Sequence, residues 1–249
     1  MSDQPPRLAV LIDAENAQAA LLNELFAEIA KYGVASVKRA YGDFTSSHLN
    51  PWKAALLKHS IKPVQQFNNT VRKNASDIAL VIDAMDLVHS KRFDGFCLVS
   101  SDSDFTGLAS RIREEGLTVY GIGEKKTPSS FVEACDKFIY TENLKSAAKT
   151  SPRKDTAPGP KKAALPPEIL AALQDTVDSA SDESGWAHLG RVGRILGSRL
   201  PDFDTRSYGQ KTLTALLEAS DDFELQRRGP KGGRQDIVVR VKPKRHAGP

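Results

Sequence analysis

The sequence predicts a parallel α/β sheet with helices on both faces, followed by a small helical domain closed by a β-hairpin. Three observations carry this. Over the first 145 residues, short β-type apolar runs alternate with longer stretches of helical periodicity, the rhythm of βαβ units. A stretch rich in Pro, Ala, Ser, Thr and Lys, "SAAKTSPRKDTAPGPKKAALPP", then interrupts all periodicity, as a flexible linker does. Beyond it, three helical patterns lead into two strand-like runs joined by "GPKGG", the layout of a winged helix.

In order along the chain, "LAVLID" (8–13) is a buried strand, and Leu21, Leu22, Leu25, Phe26 and Ile29 recur at helical spacing before Gly33. "ASVKRAY" is the second strand. Asn50 and Pro51 open a helix through "WKAALLKH". "IKPVQQF" is a third strand, placed near an edge by Pro63, and the helix "ASDIALVIDAMDLVHS" follows. Strand "FCLVS", a helix with Phe105, Leu108 and Ile112 on one face, strand "LTVYGIG" and a helix around "SSFVEAC" complete the first domain, 1–145. The linker covers 146–164. The second domain, 165–243, holds helices "EILAALQDTVDSA", "HLGRVGRILGSRL" and "YGQKTLTALLEA" and strands "DFELQRR" and "QDIVVRVK", with 244–249 a disordered tail.

A chain of 249 residues with 40 % hydrophobic content can bury two modest cores. Two cysteines, Cys97 and Cys135, without C-x-x-C spacing, argue against a disulfide framework or structural zinc. The N-terminus lacks a signal-peptide pattern, and no apolar run approaches the ~18 residues of a membrane span; the expectation is a cytoplasmic protein with no membrane partner. Up to residue 145 there are 17 Lys and Arg against 18 Asp and Glu, and beyond it 18 against 13. The basic charge therefore gathers in the second half, which suits a polyanionic partner such as nucleic acid, as well as a simply solvated basic surface.

Ligands of parallel α/β sheets gather at the carboxyl ends of strands near the topological switch point. Four aspartates fall there: Asp13 ends the first strand, Asp77 begins the helix after the third, and Asp102 and Asp104 follow the fourth. Each also has a local explanation, because Asp13 and Asp102 suit helix caps and Asp77 stands three residues after Asn74 in a capping-box-like arrangement. On a helical wheel, Val81, Ala84 and Val88 fall within about 40° of Asp77, which aims its carboxylate along the apolar stripe. Asp83 and Asp86 come out on the opposite, solvated side, with Asp83 kept as a supporting group. A lone charge on the apolar stripe is costly, and converging carboxylates repel unless a cation neutralises them. Hard oxygen donors select Mg²⁺ or Mn²⁺, an ion suited to phosphodiester hydrolysis.

Three blocks, "LAVLIDAENAQ" with Asp13 and Asn16, "KNASDIALVIDAMDL" with Asp77 and Asp83, and "LVSSDSDFTGLASRIREEGLTVYGIG" with Asp102, Ser103 and Asp104, together resemble the NYN domain, in the LabA-like branch of the PIN-like ribonucleases, over about residues 7 to 143. The resemblance implies a PIN-like, Rossmann-like three-layer fold and a metal-dependent endoribonuclease. Its metal-site acids match Asp13, Asp77, Asp102 and Asp104, with Asn16 beside the first. Ser101 stands where the family commonly has glycine. The stretch "GWAHLGRVGRILGSRLPDFDTRSYGQKTLTALLEASDDFEL" resembles the OST-HTH (LOTUS) module, which implies binding of RNA or of a protein partner.

In the second domain Arg191, Arg194, Arg199, Arg206 and Lys211 are candidate phosphate contacts, as are Arg227, Arg228, Lys231 and Arg234 at the wing. Trp186 and Tyr208 suit either base stacking or the small core. The loop "GEKKTPSS", with Lys125, Lys126 and Thr127, closes near the acidic edge and suits a scissile-strand phosphate or mere exposure. "DAENAQ" after the first strand departs from G-x-G-x-x-G, so no nucleotide cofactor is expected. Cys97 in an apolar strand and Cys135 lack a local His partner for nucleophilic catalysis, and His48, His59 and His89 lack ligand spacing. The expected function is metal-dependent cleavage of RNA. The alternatives are a non-catalytic RNA-binding adaptor and a DNA-binding regulator acting through the winged helix.

Overall fold

The computed structural model describes residues 4–67, 75–148, 165–229 and 236–242, and its backbone divides into two units, Met1–Pro152 and Arg153–Pro249. In the first, the chain runs β1 (Arg7–Asp13), α1 (Leu22–Ile29), β2 (Val34–Gly42), α2 (Asn50–His59), β3 (Lys62–Gln65), α3 (Ala75–His89), β4 (Gly95–Val99), α4 (Thr106–Glu114), β5 (Thr118–Gly123), α5 (Ser129–Ala134), β6 (Lys137–Tyr140) and α6 (Thr141–Ala148). All six strands are parallel, in the order β3-β2-β1-β4-β5-β6.

Sheet position explains strand composition. Six of the seven residues of β1 and all five of β4 are buried, because central strands covered on both faces have no solvent side; hence their runs are continuously apolar rather than alternating. Alternate side chains then serve two cores. Ala9, Leu11, Phe96 and Leu98 meet α3, α4 and α5 through Leu80, Ala84, Leu108, Ile112 and Phe131. Val10, Ile12, Cys97 and Val99 meet α1, α2 and α6 through Leu22, Leu25, Trp52, Leu56 and Leu144. β3, with Pro63, is an edge strand as expected, since proline cannot donate to a further neighbour.

One strand and one helix of this unit were not anticipated. "KFIY" becomes β6 because the open edge of β5 pairs with it, from Tyr120 opposite Lys137 to Gly123 opposite Tyr140, and α6 follows at once. On β5, Gly121 leaves the space that Phe138 and the Cys135 sulfur fill: a Cβ there would lie 2.4 Å from the Phe138 ring and 2.7 Å from Cys135 Sγ. Both cysteines are free and buried, and burial pushes each thiol up to about 12, which removes the thiolate a nucleophile needs.

The second unit contains α7 (Pro167–Ala180), β7 (Ala187–His188), α8 (Leu189–Arg199), α9 (Leu213–Glu218), β8 (Phe223–Arg228) and β9 (Asp236–Val241). Its antiparallel sheet has the order β7-β9-β8. Leu173, Val177, Val192, Leu196, Leu216, Phe223 and Val239 form its core. The third helix starts later than its apolar pattern suggests. Gly209, at φ 73°, ends a 3-10 turn at Thr205–Tyr208, and the Thr212 hydroxyl then caps α9 by accepting from Ala215 N at 3.1 Å. The two-residue β7 has no signal of its own and exists only by pairing with Val238 and Val239.

Most of the linker expected over 146–164, the tail over 244–249, and Asn74, Lys231 and Arg234 lie outside the described residues. No helix among the described residues is long and apolar enough to cross a membrane. The glycine at 121 gives a direct check on the packing: Gly121→Ala is expected to lower unfolding free energy by about 1–3 kcal/mol, the range for overpacking a filled core, measured by urea denaturation of the full chain.

Candidate active site

At the centre of the sheet, β1 and β4 are neighbours whose following helices, α1 and α4, pack on opposite faces. The chain therefore parts at their carboxyl ends, the switch point where open α/β sheets bind ligands. Ile12 pairs with Val99, so Asp13 stands opposite Ser100 across the two strand ends. Asp13 is 1 % exposed. Its Oδ2 accepts from Ser100 Oγ at 2.8 Å and from Asn16 Nδ2 at 2.7 Å, and its Oδ1 from the backbone N–H groups of Glu15 and Asn16 at 3.1 and 3.3 Å. Burial raises its pKa against the pull of these four donors.

Ser100 joins this carboxylate to the next. While its hydroxyl donates to Asp13, its oxygen accepts from Asp102 N at 3.1 Å. Asp102 in turn caps the 3-10 turn at Ser103–Phe105, accepting from Asp104 N at 3.0 Å, and that turn leads into α4. Capping and charge clustering are thus not alternatives. Asp77, half-buried in the first turn of α3, has its pKa pushed up to about 6, first by desolvation and then by the negative charges of Asp13, Asp102, Glu15 and Asp104. Side chains from three separate segments therefore share one electrostatic environment.

Asp83 is a correction. Expected on a solvated face, it is half-buried, and its carboxylate accepts from the Arg39 guanidinium and the Tyr41 hydroxyl. The reason lies in α3, which is apolar almost all round: Ile78 and Ile82 are 61 % and 59 % exposed while Leu80, Ala84 and Leu87 are buried. The buried arc is rotated toward Asp83, away from the centre of the apolar stripe.

The loop after β5 is tied down internally. Thr127 is buried and its hydroxyl donates to the Glu124 carbonyl at 2.6 Å; Lys126 pairs with Glu124 at 2.8 Å; Lys125 N donates to the Glu142 carboxylate. Ser101, where the family commonly has glycine, holds this loop to the β4 end by accepting from Glu124 N at 2.8 Å. Ser103 and Asn16 are exposed. In the second unit Arg227 and Arg228 are exposed on β8. Trp186 lies outside the apolar core, with the Arg240 and Arg228 guanidinium groups 4.6 and 5.2 Å from its ring, whereas Tyr208 packs against the core. Arg199 pairs with Asp175 and Arg206 with Asp204; Arg191, Arg194 and Lys211 are exposed. Ser100, Glu15 and Arg39 were not singled out from the sequence. Only Glu15, an acid two residues beyond Asp13, carried any signal there.

The donor set suits a hard cation, being all carboxylate and amide oxygen. Among the described residues no three Asp, Glu, His or Cys side chains stand close enough to enclose an ion by themselves. Asp13 is the least available, already accepting four hydrogen bonds. The fit is therefore to an ion that keeps waters and takes further ligands from a phosphate, as Mg²⁺ commonly does.

The family model of the NYN domain matches residues 7–144, and that of the OST-HTH/LOTUS domain matches residues 161–235. No curated protein matches the chain. Among solved structures, a protein of unknown function from Vibrio parahaemolyticus is 19 % identical, covering 55 % of this chain and 94 % of that one at a TM-score of 0.48. An uncharacterized protein from Nitrosomonas europaea is 31 % identical over 40 % of this chain and 95 % of its own, at a TM-score of 0.31. A fragment of a Chromobacterium violaceum protein is 23 % identical over 36 % and 99 %, at 0.25.

The crowding at Asp77 has a pH signature. Its raised pKa means the native state holds a proton that the unfolded chain releases, so stability is greatest below about pH 4 as far as this group is concerned and falls as pH rises through about 6. Asp77→Asn is expected to raise the melting temperature in chelator at pH 8, with the gain shrinking toward pH 4.

Proposed function

The chain belongs to the NYN domain family, and from that premise we propose that it is a Mg²⁺- or Mn²⁺-dependent ribonuclease that hydrolyses RNA phosphodiesters endonucleolytically, with its OST-HTH/LOTUS domain supplying RNA contact. The observation that carries the proposal is that acids from β1, α3 and the β4–α4 turn meet at one sheet edge, where burial first, and then the charges of Asp13, Asp102, Glu15 and Asp104, raise the Asp77 pKa. A cluster of like charges at the switch point destabilises the metal-free fold and is relieved by a divalent cation.

Asp77, Asp102 and Asp104 would hold the ion directly or through water, with Asp13 contributing charge from the floor. When bound, such an ion polarises a phosphoryl oxygen and lowers the pKa of a water. Asn16 has its amide NH₂ committed to Asp13, so its amide oxygen is the part left to orient a water. Ser100 fixes Asp13 relative to Asp102, and Ser103, exposed beside them, is a contact for the RNA strand. Lys125 and Lys126, exposed on the β5 loop, would bring positive charge toward the scissile phosphate, Lys126 by leaving its pairing with Glu124, while Thr127 shapes that loop from within. In the second domain Arg227 and Arg228, with Lys231 and Arg234 in the same wing segment, position the RNA backbone without reading sequence. A protein partner at the second domain is compatible with the same surface.

A second proposal has a specific observation in its favour. Because no three side chains enclose an ion among the described residues, the acidic crevice also suits an RNA-binding adaptor without turnover. Labelled single-stranded RNA incubated with the full chain separates the two. Cleavage is expected with Mn²⁺, lost in chelator, and reduced about a hundredfold or more in Asp102→Asn, the scale of losing several kcal/mol of charge stabilisation. Equal cleavage with chelator present would defeat metal dependence, and tight binding without product at any metal concentration would select the adaptor.

A further inference from the structure

A second cleft, of about 520 Å³, opens at the other end of the sheet. It exists because β3 is short. β3 pairs only with Arg39–Gly42, so the first half of β2, Val34–Lys38, has no neighbour on the side away from β1. The end of α1 and the end of α2 flank this gap. Its apolar wall is Ile29 and Val34, the latter 51 % exposed. The polar wall is Lys38, Lys58 and His59, and no carboxylate lines it.

The cations are arranged around an aromatic pair. Phe26 and His59 stack with centroids 5.3 Å apart at 27°, and Lys38 Nζ lies 5.3 Å from the Phe26 centroid while donating to the His59 carbonyl at 2.6 Å. Among the described residues neither Lys38 nor Lys58 forms an ion pair. Desolvation and the charges of Lys58 and Lys38 hold the His59 pKa below its ordinary value, and α1 brings no charged group to the cleft lining. Basic residues at the end of α2 complement the helix dipole. That accounts for their sequence position, but it does not account for a small-ligand-sized cleft lined by Lys38, beside the Phe26 ring, and by Lys58.

We propose that this cleft is a second RNA contact, taking one nucleotide of a single strand with its phosphate at Lys58 and its base against His59 and Val34. Stacking on a ring beside a cationic groove is how single strands are held without sequence preference, and it favours RNA over an acidic peptide, which offers charge but no flat ring. The inference rests on the RNA-binding reading above. It places the strand at both ends of the sheet, the acidic crevice at the carboxyl ends and this anchor at the amino end.

The test reads binding rather than cleavage, so an inactive enzyme leaves it intact. Full-length Asp102→Asn is titrated with oligouridine while the His59 ring resonances are followed by NMR as a function of pH. RNA is expected to raise the His59 pKa, because a phosphate favours the imidazolium. Adding Lys58→Glu is expected to abolish that rise and to flatten the slope of log affinity against log salt by about 0.7, one phosphate contact on a single strand. Lys53→Glu, the same charge change on the same helix outside the cleft, is expected to leave both readouts in place. An unchanged His59 titration under saturating RNA, equal effects of the two substitutions, or a response to polyglutamate instead of RNA would each overturn the proposal. So would full reproduction of the effect by uridine monophosphate alone, which would mark a free-nucleotide site.

Discussion

A carboxylate buried at the end of the central strand is the constraint around which the first domain is arranged. Asp13 sits where desolvation disfavours its charge, and an unmatched buried charge costs several kcal/mol. The fold answers with four donors, two from the backbone immediately after β1 and two from side chains, Asn16 and Ser100. The local donors shape the turn that follows β1, and the distant one pins β4 to it. The same Ser100 oxygen orients Asp102, so the geometry of the crevice depends on one hydroxyl shared by two acids.

The acids at this edge are held in place by structure that has other reasons to exist. Asp102 is a helix cap, Asp77 a first-turn acid on α3, and Asp13 a strand terminus. Each is locally favourable, yet their charges repel one another, which adds to the burial that raises the Asp77 pKa. Local stability and collective strain coexist because helix capping is satisfied within a few residues, whereas Coulomb repulsion accumulates across elements. Such a crevice gains most from a ligand that is positively charged or brings a cation with it.

The second domain uses its charges differently. Instead of crowding like charges, it pairs many of them: Arg206 with Asp204, Arg199 with Asp175, Arg240 with Glu224. Arg240 and Arg228 also lie over Trp186, which keeps that ring out of the apolar core and makes it part of a basic surface. Guanidinium groups held over an indole lose part of their side-chain freedom.

How much of this was legible depends on the range of the interactions. Local periodicity identified β1, β2, β4 and β5, the helices between them and the edge position of β3, because burial on both faces writes itself into continuous apolar runs and Pro63 excludes a central place. The expectation that Asp13, Asp77 and Asp102 fall at the carboxyl edge followed from that alternation of strands and helices. Tertiary structure decided the rest. β6 needed the open edge of β5; the half-buried Asp83 needed the actual rotation of α3, which an almost uniformly apolar helix leaves undetermined; and the Ser100–Asp13 bond spans 87 residues. Sequence by itself settles what each short segment prefers, because those preferences arise within a turn or a strand. Which segments meet, and therefore which charges share a pocket, is settled only by the register between strands far apart in the chain.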